Sequence, residues 1–263
     1  INASGSGLIY STFIGGAEDD YGTAIDIDNS GNAYITGFTN HSIIPLTPNF
    51  PTTIGCFNST KTGIFQSTFV TKLNSTGTAL VYSTYLWGLN MNNNSTEIKV
   101  DNSGNAFVLG TFALTPINNI PTGTTYYGGT TNCKTYQVQL NNTGTGLNYS
   151  HLIDGNCIGL ALVNNNVYVT GKTSSNQVSL FRFNTITNLM TIGSLIGGLF
   201  DYGVAVDVNS VGEVFVTGVK ESNVLFNPAC TPINTPNPGS TDIFVTKYDN
   251  NLNPLCTRIL GGS

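Results

Sequence analysis

Three short phrases recur in fixed order along the chain, and this internal repeat constrains the fold more than any other feature of the sequence. The first reads LIYSTFIGG (8 to 16), LVYSTYLWG (80 to 88), LNYSHLIDG (147 to 155), a looser GSLIGG (193 to 198) and LCTRILGG (255 to 262). The second reads AIDIDNSGNAYITG (24 to 37), EIKVDNSGNAFVLG (97 to 110), LALVNNNVYVTG (160 to 171) and AVDVNSVGEVFVTG (205 to 218). The third reads FVTKLNSTGT (69 to 78), YQVQLNNTGT (136 to 145), SLFRFNTITN (179 to 188) and IFVTKYDNNL (243 to 252). Each alternates apolar and polar residues between Asn, Ser and Gly turn signals, the pattern of short strands joined by tight turns. Gly31 and Gly77 stand where such turns need a positive φ.

Read as strands, the phrases give four strands per unit and units at about 17–88, 89–155, 156–198 and 199–263. The expectation is one all-β domain over residues 1–263: a β-propeller-like array of four four-stranded antiparallel blades plus one spare terminal strand. A solenoid of stacked hairpins is the alternative architecture. Composition agrees, because charged residues are only 9% of the chain while Tyr (12) and Phe (14) supply bulk.

YSTFIGG, AIDIDNSGNAYITGFT, NFPTT (49 to 53) and FVTKLNSTG together resemble the seven-bladed β-propeller repeat family abbreviated SBBP. The resemblance implies a secreted or surface-attached, modular protein with no assigned chemistry. The chain departs from the family in having four copies of the second and third phrases rather than seven, and five copies of the first. One outer strand, near Leu8 to Ile14 or near Leu255 to Leu260, is therefore spare. An unpaired edge is commonly covered by another chain. The spare strand, with Leu8, Tyr10, Thr12 and Ile14 on its interface side, is expected to complete a blade in a neighbouring subunit. Deletion of residues 1 to 16 is then expected to abolish assembly. A segment cut from a longer propeller, or an irregularly closed ring, would also account for the extra strand.

Net charge is −5 with nine Lys plus Arg scattered singly, which argues against nucleic acid as a partner. No apolar run approaches the roughly 18 residues of a membrane-spanning helix. The chain begins at Ile1 without Met or a leader, read as a processed protein or a piece of a longer one. Glycosylation sequons start at Asn2, Asn40, Asn58, Asn74, Asn93, Asn94, Asn141 and Asn148. Cys56, Cys133, Cys157, Cys230 and Cys256 have no metal-type spacing and are candidates for one or two disulfides plus an odd thiol, with all five as buried free thiols the alternative. Both features point outside the cytosol, to an extracellular or cell-surface location.

Chemistry-bearing constellations are few. Asp26, Asp28 and Ser30 resemble a Ca²⁺ loop, but the aligned Lys99, Asp101 and Ser103 and Asp207, Asn209 and Val211 lose the ligand set. Self-bonding hairpin turns explain the pattern better, and no other cofactor is expected. Glu18, Asp19 and Asp20, with Asp201 at the matching place in the fourth unit, could act as paired carboxylates or simply face solvent. His41 and His151 lie in different units without a third partner and read as structural or surface residues. Long insertions near 38–66, 111–134 and 219–241 are the natural place for binding, with Phe57, Trp87, Tyr126 and Tyr127 as candidate sugar-stacking aromatics. The leading expectation is a non-enzymatic structural protein that self-assembles into a surface or filament polymer, possible glycans being its other partners. An adhesin or lectin-like module using the long loops is the alternative, and an enzyme working in a central channel is a third reading.

Overall fold

The computed structural model describes residues 1–40, 49–60, 66–86, 93–112, 124–127, 133–193, 196–222 and 241–261. All regular structure among them is β. The first sheet holds β1 (Asp20–Ile27), β2 (Ala33–Thr39), β3 (Ser67–Leu73) and β4 (Leu80–Tyr85) in sequence order. The second holds β5 (Asn93–Val100), β6 (Ala106–Phe112), β7 (Thr125–Tyr127), β8 (Cys133–Leu140) and β9 (Leu147–Asp154), in the order β5-β6-β8-β9-β7. The third runs β10 (Asn156–Val163), β11 (Asn166–Lys172), β12 (Val178–Asn184) and β13 (Met190–Ile192). The fourth runs β14 (Tyr202–Val208), β15 (Val214–Lys220), β16 (Asp242–Tyr248) and β17 (Pro254–Leu260). These four sheets, blades 1 to 4 below, are the four expected from the repeat.

Three details differ from the sequence expectation. Residues 8–16 form no ladder, so the spare strand is present as an extended, unpaired segment. Blade 2 gains a fifth strand, β7, inside an insertion. In blade 3 the outer strand is the short Met190–Ile192, and Ile196 of the looser GSLIGG phrase makes only an isolated bridge to Val178.

The chain divides into two compact units. The first comprises Ile1–Tyr126 and Tyr136–Leu152, and the second Tyr127–Thr135 and Ile153–Ser263. Each has its own apolar core. In the first, Phe50, Phe69 and Tyr85 are buried together under Ile14 and Ile35. In the second, Tyr168, Leu180, Val206, Val216, Phe244 and Tyr248 belong to one cluster.

The repeated phrases have repeated physical roles. In the second phrase, Thr36, Thr170 and Thr217 donate their hydroxyls to the carbonyls of Phe69, Ser179 and Phe244 at 2.7–2.8 Å, fixing the second strand of a blade on the third. The glycine that follows, Gly37 or Gly218, lies under the ring of Phe69 or Phe244, where a Cβ would collide. All four first strands break register at the same point, at Gly22/Ala24, Ser95/Glu97, Cys157/Gly159 and Gly203/Ala205. A bulge there increases the local twist of the strand.

Candidate functional site

The DNSG turns account for the Asp-rich loops. Asp28 accepts the amides of Ser30 and Asn32 at 3.0 and 2.9 Å, Asp101 those of Ser103 and Asn105, and Asn209 those of Val211 and Glu213. Asp28 also forms an ion pair with Lys72 at 3.3 Å. Burial works against its ionised form, but the bonds from Asn32, Lys72 and Ser30 outweigh it and hold the carboxyl at about 2. Asp26 points elsewhere, accepting the amide of Val100 at 2.8 Å. The structure therefore does not bring Asp26, Asp28 and Ser30 together as a calcium shell. Their oxygens are already committed to the hairpin turn and to the neighbouring blade. Among the described residues no cluster of His, Cys, Asp or Glu has the makings of a metal site.

The remaining acids and histidine also have structural partners. Asp20 accepts the amide of Gly16 at 2.6 Å, and buried Asp201 gathers the amides of Gly198, Glu221 and Ser222 and the hydroxyl of Ser222. Asp19 takes a weak bond from Asn40, and Glu18 is half-buried. His151 is buried, stacked on Tyr149 at 4.6 Å and bonded to Gln137 at 3.2 Å. His41 lies outside the described residues.

The sulfurs divide unevenly. Cys56 and Cys157, both offered by the sequence as disulfide candidates, are free thiols in this structure. Cys157 is enclosed within β10 beside Ser179, and burial pushes its thiol up to about 11. Cys256 is disulfide-bonded. The side chains of Cys133 and Cys230 lie outside the described residues.

Of the aromatics, Tyr127 packs on Phe183 and Phe57 is half-buried, whereas Tyr126 is exposed; Trp87 lies outside the described residues. Among the sequon asparagines, Asn2, Asn74 and Asn141 fold their own turns, and Asn40 and Asn58 are half-buried. Asn148 is exposed on β9, while the side chains of Asn93 and Asn94 are outside the description.

What remains is the N-terminal segment. Asn2 accepts the amides of Ser6 and Gly7, just as Asn74 accepts those of Thr78 and Ala79 in the turn between β3 and β4. The backbone closes identically, by Asn2 N to Gly7 O and Asn74 N to Ala79 O. Residues 1–7 are thus the turn that precedes an outer strand, and residues 8–14 are that strand without its ladder. The segment is nevertheless seated. Tyr10 lies against Gly77, where an added Cβ would collide with its ring, and Tyr82 of β4 lies the same way against Gly144. Thr12, Phe13 and Ile14 line a groove with Leu73, Gly77, Thr78, Ala79 and Leu80. Of the four predicted interface residues, Tyr10 and Ile14 are half-buried against blade 1, while Leu8 and Thr12 remain exposed, as does Phe13.

The four antiparallel blades make this an all-β, β-propeller-like repeat protein. Residues 9–45 match the SBBP beta-propeller repeat. No curated protein matches the sequence. Among solved structures, an auxiliary nutrient binding protein from Bacteroides thetaiotaomicron is 10% identical with a TM-score of 0.46, over 94% of this chain and 43% of that one. The chain thus spans less than half the length of that relative. A luciferin-regenerating enzyme is 12% identical with a TM-score of 0.36, over 95% of both chains. A member of the DUF4221 family from Bacteroides vulgatus is 7% identical with a TM-score of 0.37, over 95% of this chain and 84% of that one.

Proposed function

We propose that this protein is a non-enzymatic structural subunit of the cell exterior, which self-assembles into a surface layer or filament by lending residues 8–14 as the outer strand of a blade in its neighbour. The observation that carries this reading is the seat of Tyr10 on Gly77, which holds an outer strand in place with its ladder groups open. An extended strand offering unpaired amides and carbonyls is the donor in β-strand addition. The sequons and the oxidised Cys256 suit an extracellular glycoprotein.

The test is electron microscopy and light scattering of the full chain beside a variant lacking residues 1–16. Ordered polymers from the first and monomers from the second are expected. Monomers from both, with affinity for a glycan array, would replace this reading with the lectin-like one.

A further inference from the structure

Blade 3 differs from the other blades at one end. Its second and third strands are joined by the short turn 173–177, whereas the long insertions separate β2 from β3, β6 from β8 and β15 from β16. Beside that turn lies a pocket of about 340 Å³ onto which Lys134, Asn156, Lys172, Ser174 and Asn176 converge, all of them in the second compact unit. Backbone contacts build its walls. A Cβ on Gly155 would stand 2.1 Å from the carbonyl oxygen of Lys172, so the corner between β9 and β10 lies directly on the end of β11. Thr135 donates its hydroxyl to the Gly155 carbonyl at 2.9 Å and accepts the Cys157 amide at 2.8 Å, which fixes the strand end that carries Lys134. In the turn, Asn176 donates its amide to the Thr173 carbonyl, and its own carbonyl takes the amide of Phe200, both at 2.9 Å.

Two cations meet at this pocket without an acid to pair with. The ion pairs among the described residues join Lys72 to Asp28 and Lys247 to Glu213, and neither Lys134 nor Lys172 takes part in one. Lys172 instead lies over the rings of Phe200 and Tyr202, 5.5 and 5.8 Å from their centroids. Phe38, Thr111 and Val219 hold its ladder position in the other blades, so this charge is peculiar to blade 3. Ser174 donates its hydroxyl to Asp154 at 2.5 Å, which leaves its oxygen as an acceptor for a second partner. Phe200, whose amide is anchored to the turn, has a φ of 78° and is 54% exposed. A bulky residue held in the left-handed region with its ring in solvent is the kind of strain that collects at functional sites.

We propose that this pocket binds a carboxylated sugar the size of a mono- or disaccharide. The ammoniums of Lys134 and Lys172 take the carboxylate, and Asn156, Ser174 and Asn176 meet the ring hydroxyls. Phe200 offers its face to the C–H groups of the sugar. The pocket is at the small end of the range for ligand sites, yet roomier than a lone inorganic anion needs. Such an anion would engage the lysines and leave the amides and the ring idle, whereas a uronate uses all three. The site lies within one compact unit and does not depend on strand donation.

The test is a calorimetric titration of the full chain with digalacturonate, with the same disaccharide whose carboxyls are reduced to hydroxymethyl groups, and with inorganic phosphate. Binding of the uronide, weakened by salt and at least about tenfold tighter than that of the neutral sugar, is expected. Lys134→Gln and Lys172→Gln should each weaken it about tenfold with unchanged melting curves. Phe200→Gly should weaken it severalfold while raising the melting temperature, because it removes the ring and relieves the left-handed φ together. Equal affinity for the neutral sugar would overturn carboxylate recognition, and phosphate binding as tightly as the uronide would reduce the pocket to a simple anion site. No heat with the uronide, or affinity that survives both lysine changes, would overturn the assignment of this pocket.

Discussion

Tyr10 rests its ring on the backbone of Gly77 as Tyr82 rests on Gly144, so the unpaired N-terminal segment is held by the contact that joins two blades. Gly77 has φ of 68°, a left-handed conformation that costs a residue with a Cβ about 1–2 kcal/mol. Gly77→Ala adds a collision with the ring and should release the segment. Chymotrypsin cleavage after Tyr10 should rise severalfold, and Tyr10→Ala should free the segment equally without straining the turn, read as sharpened Leu8 and Ile14 methyl signals. Unchanged cleavage in Gly77→Ala would show that the segment is held elsewhere.

Asp28 makes stability depend on acid. Its carboxyl sits at about 2 against an ordinary 3.8, because hydrogen bonds and Lys72 overcome the burial that opposes ionisation. A lowered folded value means the contribution is present above about pH 4 and is lost as pH falls through about 2. Its size, allowing for solvent screening, is on the order of 1 kcal/mol. The gap between urea melts of the wild type and Asp28→Asn should be about that amount at pH 6 and clearly smaller at pH 2.5, where the contribution is being lost. A constant gap would assign the effect to packing.

The strands were legible because the repeat aligns four copies of one physical solution. Thr and Gly of the second phrase, the turn Asp or Asn, and the Tyr of the first phrase all do in the structure what a blade requires. Sequence spacing also exposed the spare strand, since five copies of one phrase face four of the others. It could not reveal that Asp26 and Asp28 turn apart, because both carboxylates fit a metal loop until Val100 and Lys72 come into contact with them. Nor could it separate exposed Ile25 from buried Ile98, which share a motif. The three-residue β7 escaped notice because Thr125–Tyr127 lies in a Gly- and Thr-rich insertion with too few residues to show alternation.

A cross-strand hydroxyl pair fastens the outer strand of blade 4. Thr246 and Thr257 are buried and 2.9 Å apart, at the place where Thr71 and Ser83 meet at 2.8 Å in blade 1. Thr246→Val or Thr257→Val alone leaves one buried hydroxyl without that bond, at a cost of about 1–2 kcal/mol. The double variant removes both hydroxyls together and should recover most of the loss, so a double-mutant cycle should show coupling of about 1 kcal/mol. Additive losses would mean that each hydroxyl acts independently.

The two free thiols should react at very different rates, since the thiolate is the reactive species and must be reachable. Cys56 is half-exposed. Cys157 is enclosed, its thiol is raised to about 11 chiefly by burial, and its amide is tied to Thr135 at 2.8 Å. At pH 8 the fraction of Cys157 as thiolate is on the order of one part in a thousand even before access is considered. N-ethylmaleimide on the native protein should therefore label Cys56 within minutes and leave Cys157 intact until the second unit unfolds. Mass spectrometry of the labelled peptides along a urea series then turns Cys157 into a reporter of that unit's opening. Labelling of Cys157 at the same rate as Cys56 in native buffer would mean that β10 opens far more readily than its packing implies.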